Sequence, residues 1–244
     1  MNIKELLIHN QFNGCILIYD KDQILRVECN GYADIDSNLL FTEKTRSRIG
    51  SISKQMTATA IMLLVDQGLI SLNQSIDAFF PHYRFAHQIT IHQLLSNTSG
   101  LEGYPVDANY DDLKDEEDFY TAFINKMIEP HELRFKPGTS YEYSGSGYIM
   151  LTKIIEIVSH MSFPDFMQKN LFEPLKMMDT GFDLGKVKEI ATPYDKKESK
   201  YIHAPYVDMR IAGGGGGFYS SLSDLYTWNQ ALMHKKLIKD EWVQ

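Results

Sequence analysis

The chain has 244 residues, 43% of them apolar and 12% aromatic, which is enough to bury a core and too much for a disordered chain. Twenty-four basic against thirty-two acidic side chains leave a net charge of −8, the wrong sign for a nucleic-acid or anionic-membrane partner. No stretch approaches the ~20 apolar residues of a bilayer span, and Met1 to Asn10 lacks the apolar run of a signal peptide.

The first predicted element is a hairpin. Cys15 to Tyr19 and Ile24 to Glu28 are β-rich runs around the polar turn Asp20 to Gln23. Cys15 and Cys29 lie on its two arms and can face each other. Two cysteines are too few for a disulfide scaffold, and two reduced, buried thiols are expected. From about Ser51 the spacing turns helical: Met56, Ala60, Leu63 and Leu64 share a face, and Gly68 marks the stop. A second helix is predicted from Thr90 to Asn97, ended by Gly100, and a third from Glu116 to Ile128, before Pro130. Between Asp107 and Asp118, seven acids against Lys114 alone concentrate a charge of −6. This reads as a solvated loop entering that helix, the other reading being an acidic docking surface. A fourth helix spans Gly147 to His160 and a fifth Pro164 to Leu171; residues 181–206 are mixed and loop-rich. After the run Gly213 to Gly217, Leu222 to Met233 reads as a further helix capped by Ser221 or Ser223.

Strands, a long helical insert and a return describe an α+β chain. The expected layout is a sheet domain formed by 1–60 and 207–244 around a helical domain of 61–206. A lone hairpin is marginal in water, so further strands are expected in 181–220 or after Gln244.

The strongest chemical signal is Ser51-Ile52-Ser53-Lys54, where the strand region gives way to the first long helix. Three residues apart at a helix start, a hydroxyl and an ammonium share one face, and the unpaired N–H groups there favour a developing oxyanion. A serine hydroxyl needs a base, and a lysine serves once its pKa is lowered. Taken alone, the same letters also describe an ordinary capped helix with a surface lysine.

The surrounding segment, Arg48 to Ala58 (RIGSISKQMTA), resembles the nucleophile segment of serine β-lactamases and penicillin-binding proteins, in particular the class C β-lactamase-like branch. Further landmarks of that family follow in order. Leu72 to Pro81 (LNQSIDAFFP) is similar to the stretch after its first helix. Ile89 to Leu101 (ITIHQLLSNTSGL) resembles its L-L-x-H-T-S-G-L segment, with Asn97 where histidine is usual. Phe135 to Tyr148 (FKPGTSYEYSGSGY) resembles P-G-x-x-x-x-Y-S-N-x-G-Y, and Ala212 to Asp224 (AGGGGGFYSSLSD) its glycine-rich turn. The resemblance implies a β-lactamase/transpeptidase-like fold with a helical domain inserted in an antiparallel sheet domain. It also implies Ser51 as acylated nucleophile, Lys54 as partner base and Tyr143 as the phenol relaying protons to the leaving group.

Two departures stand out. The third residue of the Y-x-N motif, a substrate-binding amide in the family, is Gly145, which has neither side-chain donor nor acceptor. Ser146 next to it could partly substitute, though its side chain should point elsewhere. No K-T-G or H-x-G triplet follows Tyr143, and the expectation is a homologue whose C-terminal sheet strands and final helix are missing. Asp179-Thr180-Gly181 also spells the aspartic-protease triplet, but that chemistry needs a second carboxylate. The glycine run lacks the G-K-[ST] of a phosphate loop and is expected to be a flexible turn beside the site.

The expected activity is serine acyl transfer on β-lactams, D-amino-acid peptides or esters, with Gly145 shifting weight from lactams toward esters and peptides. The alternative is a non-catalytic homologue that binds cell-wall peptide or a partner protein. No metal or organic cofactor is implied, and no Cys/His cluster has zinc spacing. Self-association or a partner segment would complete an open sheet. The resemblance points to the cell envelope, whereas the absent leader fits the cytoplasm.

Overall fold

The computed structural model describes residues 2–103, 110–185, 187, 189–198 and 200–238. The acidic residue Asp107 lies outside them. The chain opens with helix α1 (Ile3–His9), an element the sequence reading did not assign. Asn2 and Glu5 close its first turn reciprocally as a capping box.

The predicted hairpin is present as β1 (Gly14–Asp20) and β2 (Gln23–Asn30). It carries a Cys15–Cys29 disulfide, which corrects the expectation of two reduced thiols. A bulge is the reason. Near the turn Tyr19 faces Ile24, but the register shifts between Ile18 and Tyr19, so that Ile18 faces Arg26 and Cys15 faces Cys29. Without that extra residue Cys15 would oppose Glu28. The two Cα atoms end 4.1 Å apart, close enough for the sulfurs to bond.

Strands β3 (Tyr32–Asp34) and β4 (Leu39–Leu40) form a second small ribbon. From β5 (Ser47–Arg48) the chain leaves for its helices: α2 (Ser53–Asp66), α3 (Ile91–Leu95), α4 (Phe119–Phe123), α5 (Gly145–Ser159) and α6 (Phe163–Met167). It returns through β6 (Gly181–Phe182), the ribbon β7 (Tyr194–Lys197) and β8 (Lys200–His203), then β9 (Phe218–Ser220) and α7 (Leu222–Met233). Strand β9 sits between β5 and β6, antiparallel to both. The helices are therefore inserted between neighbouring strands of one antiparallel sheet, the α+β arrangement expected, in a sheet that does not close. The strands anticipated in 181–220 are these late ones.

Local chemistry sets the helix boundaries. Gly68 (φ +72°) ends α2 as predicted, its N–H bonding Val65 and that of Leu69 bonding Leu64. The second helix stops earlier than Gly100, because Asn97 already takes a left-handed conformation at φ +57°. The third begins at Phe119, capped by Asp118, and finishes as a π-helical turn, Ile124–Ile128. Ser221 caps α7. Met56, Ala60 and Leu64 of α2 pack with Ile149, Ile154 and Ile155 of α5 and Phe163 and Phe166 of α6 in one apolar core. Burying that face, at about 1.5–3 kcal/mol per large side chain, fixes α2 against α5, and this contact positions the site.

Candidate active site

Gly50 (φ +51°) turns the chain out of β5 into a 3-10 turn, Gly50–Ile52, that runs straight into α2. Ser51 thus stands exposed on the turn, and Lys54 follows in the first turn of α2, half-buried. The buried Ser53 between them faces the other way, and its Oγ accepts the N–H of Phe218 at 3.3 Å, stitching the helix start to β9.

Tyr143 arrives from 92 residues away. It lies on the irregular segment before α5, and its phenol oxygen is 2.6 Å from Ser51 Oγ. Lys54 completes the group: its ammonium sits 4.7 Å from the Tyr143 ring centre and 5.0 Å from that of Tyr148. Partial burial pushes the Tyr143 phenol up. Hydrogen bonds from Lys54 and Ser51, with the ammonium charge, outweigh it and hold the phenol below the ordinary tyrosine range. Tyr148, over the same ammonium, goes the other way: burial, then the neighbouring phenols of Tyr143 and Tyr141, push it up to about 12. One tyrosine is thus disposed to give and take a proton while the other stays protonated.

Sequence reading did not find what holds Lys54. Its Nζ donates to the carbonyl of Gly215 at 2.6 Å. That carbonyl belongs to the glycine run, which is not the flexible turn expected but is buried from Gly213 to Gly217, its first three residues ending a 3-10 segment, Met209–Gly215, packed between helices. Thr57 Oγ1 donates to the Gly214 carbonyl at 2.8 Å, and the Gly214 N–H donates to Thr152 Oγ1 at 2.8 Å. A Cβ on Gly214 would stand 2.5 Å from Thr57 Oγ1 and 2.9 Å from Phe163, so close approach requires glycine there. The signal available was Thr57, one helical turn beyond Lys54 on the same face.

Gly145 is buried at the start of α5. Ser144 caps that helix, accepting the Gly147 N–H at 3.2 Å while donating to the Glu102 carbonyl at 2.9 Å. Ser146 is turned away, donating to the Gly103 carbonyl, as its position implied. Asp179 pairs with Arg46 at 2.8 Å, and Thr180 bonds Asp224 at 2.8 Å, so this triplet ties β6 to the start of α7. Among the described residues no group of three His, Cys, Asp or Glu is arranged to hold a metal, and no helix is long and apolar enough to cross a membrane.

Comparison with known proteins gives a consistent result. A family model described as Beta-lactamase matches residues 2–242. The putative penicillin-binding protein PbpX of Bacillus subtilis (strain 168) is 30% identical over 229 residues, covering 93% of this chain and 56% of that protein. Penicillin-binding protein 4* of the same strain is 29% identical over 251 residues, covering 94% and 54%. The chain thus spans about half the length of these curated relatives. Among solved structures, the penicillin binding protein from Bacillus halodurans superposes with a TM-score of 0.85 at 22% identity, covering 100% of this chain and 77% of that one. A D-amino acid amidase from Ochrobactrum anthropi SV3, complexed with D-phenylalanine, gives 0.85 at 21% identity, covering 99% and 72%. These two likenesses are of fold.

Proposed function

Because the chain belongs to the Beta-lactamase family, whose chemistry is serine-nucleophile acyl transfer, we propose that it is a serine hydrolase working through an acyl-enzyme on Ser51. The observation that carries this reading is the 2.6 Å bond between Ser51 Oγ and the Tyr143 phenol, with the Lys54 ammonium 4.7 Å from the centre of that ring. Ser51 Oγ attacks the substrate carbonyl carbon as its proton passes to the Tyr143 phenolate. The phenol then hands the proton to the departing nitrogen or oxygen as the C–N or C–O bond breaks. Lys54 stabilises the phenolate, and the Gly215 carbonyl keeps its Nζ in place. Water releases the acyl group by the same relay in reverse and returns the proton to Ser51.

Within the family, the order of Ser51, Lys54 and Tyr143 supports the class C-like branch. The substrate class we propose is D-amino-acid peptides, amides or esters rather than β-lactams. Gly145 offers no amide to a lactam, a contact worth about 1–3 kcal/mol where such a group is lost.

The test is intact mass after incubation with a penicillin and, separately, a reactive D-amino-acid ester, against Ser51→Ala. A stoichiometric adduct on the native protein that disappears in Ser51→Ala is expected, forming faster with the ester. Folded protein that gains no adduct from either probe would replace this reading with the non-catalytic, peptide-binding one. We also propose an oxidising compartment, where a disulfide such as Cys15–Cys29 forms and persists most readily. Alkylation of protein trapped in cells should find no free thiol; two alkylated thiols would place the chain in the cytoplasm.

A further inference from the structure

Tyr143 is 48% exposed and lies in no helix or strand, yet its phenol must stay within hydrogen-bond reach of Ser51. One residue holds the backbone on both sides of it. The N–H of Glu142, just before Tyr143, donates to the backbone carbonyl of Asn97 at 3.1 Å. The N–H of Ser144, just after it, donates to the side-chain Oδ1 of the same Asn97 at 3.1 Å. Asn97 can present both acceptors to one segment because it closes α3 in a Schellman motif. Its own N–H bonds Leu94 at 3.3 Å and that of Thr98 bonds Gln93 at 2.9 Å, with Asn97 left-handed at φ +57°. The pairing runs on behind it, from Gly138 N–H to Thr98 and from Arg134 N–H to Gly100, both at 2.8 Å. Two side chains join beside the phenol: Asn97 through its Oδ1, and Ser144, whose Oγ donates to the Glu102 carbonyl at 2.9 Å.

We propose that Asn97 is a positioning residue that clamps the two amides flanking Tyr143 and so sets the phenol against Ser51 and Lys54. The inference rests on the acyl-transfer reading of Ser51 and Tyr143. It also accounts for a departure noted in the sequence. Histidine, usual at this place in the L-L-x-H-T-S-G-L segment, tolerates the left-handed conformation, and its Nδ1 is as many bonds from the backbone as Asn97 Oδ1.

The variants are Asn97→Gly, which keeps the turn because glycine is the residue this position favours, and Asn97→His, which restores an acceptor. Two readouts are taken on protein shown folded by circular dichroism. One is the ultraviolet titration of Tyr143, assigned by difference from Tyr143→Phe, which needs no substrate. The other is the rate of adduct formation with the ester. In Asn97→Gly the Tyr143 midpoint should rise toward the ordinary value of about 10, as the phenol drifts from Lys54. Acylation should slow about tenfold, the effect of one lost hydrogen bond. Asn97→His should recover both. An unmoved midpoint in Asn97→Gly overturns the clamp, whatever the activity. A midpoint that moves in a protein forming no adduct upholds the clamp and removes the acyl-transfer reading instead.

Discussion

Ser51 and Lys54 stand at the start of a helix whose inner face is wholly buried, and the lysine is pinned to a glycine segment inside the core. Tyr143, bonded to Ser51 across 2.6 Å, stands on an irregular segment with almost half its surface in water and is held by hydrogen bonds to one asparagine. The first half is placed by packing, which costs several kcal/mol to disturb. The second is placed by a few polar contacts, each worth about 1 kcal/mol. A site so divided keeps its nucleophile and cation fixed while the proton carrier has freedom to follow the substrate. Damage to the two halves should therefore register in different measurements.

The largest effect belongs to the packed half. Ser51→Ala should abolish the mass adduct altogether with no loss of melting temperature, since the side chain is exposed. A persisting adduct would mean that another group is the nucleophile. In the loop half, Tyr143→Phe should slow acylation by about 10²–10⁴ and leave stability unchanged; a marked fall in melting temperature would show that Tyr143 is part of the core after all. Gly214→Ala should do the opposite. Its new methyl meets Thr57 and Phe163, destabilising the fold by about 1–3 kcal/mol. Calorimetry would detect this as a melting temperature lower by about 2–4 °C for each kcal/mol.

The smallest effect is one of pH. Lys54 and Ser51 depress the Tyr143 phenol, so the phenolate, and with it the acylation rate, is present above that lowered value and lost as pH falls through it. Removing the cation in Lys54→Gln should move the Tyr143 absorbance titration to higher pH. A midpoint left in place would mean that the ammonium does not govern the phenol.

Much of the fold was legible in local chemistry. The Gly68 stop, the Ser221 cap and the hairpin arms follow from rules that act over a few residues, and the structure has them where the residues say. Helix α1 escaped because seven residues hold too few apolar positions to display a period; its capping box, Asn2 with Glu5, was the readable sign. The third helix was drawn three residues too long at its start because Glu116, Glu117 and Asp118 are compatible with a helix, whereas Asp118 is its cap and Phe119 its first residue.

By itself the sequence determined the order of the motifs and the short-range geometry of Ser51 and Lys54, since a helix start brings residues three apart onto one face whatever surrounds it. Only the tertiary structure decided that a phenol 92 residues away bonds Ser51, that Gly215 offers its carbonyl to Lys54, and that Asn97 grips both sides of Tyr143. It also decided that a one-residue bulge turns Cys15 toward Cys29. Three of these four contacts involve backbone carbonyls, backbone amides or strand register. Every residue carries the same carbonyl, nearly every one the same amide, and pairing parity depends on a partner strand, so no letter of the sequence announces them.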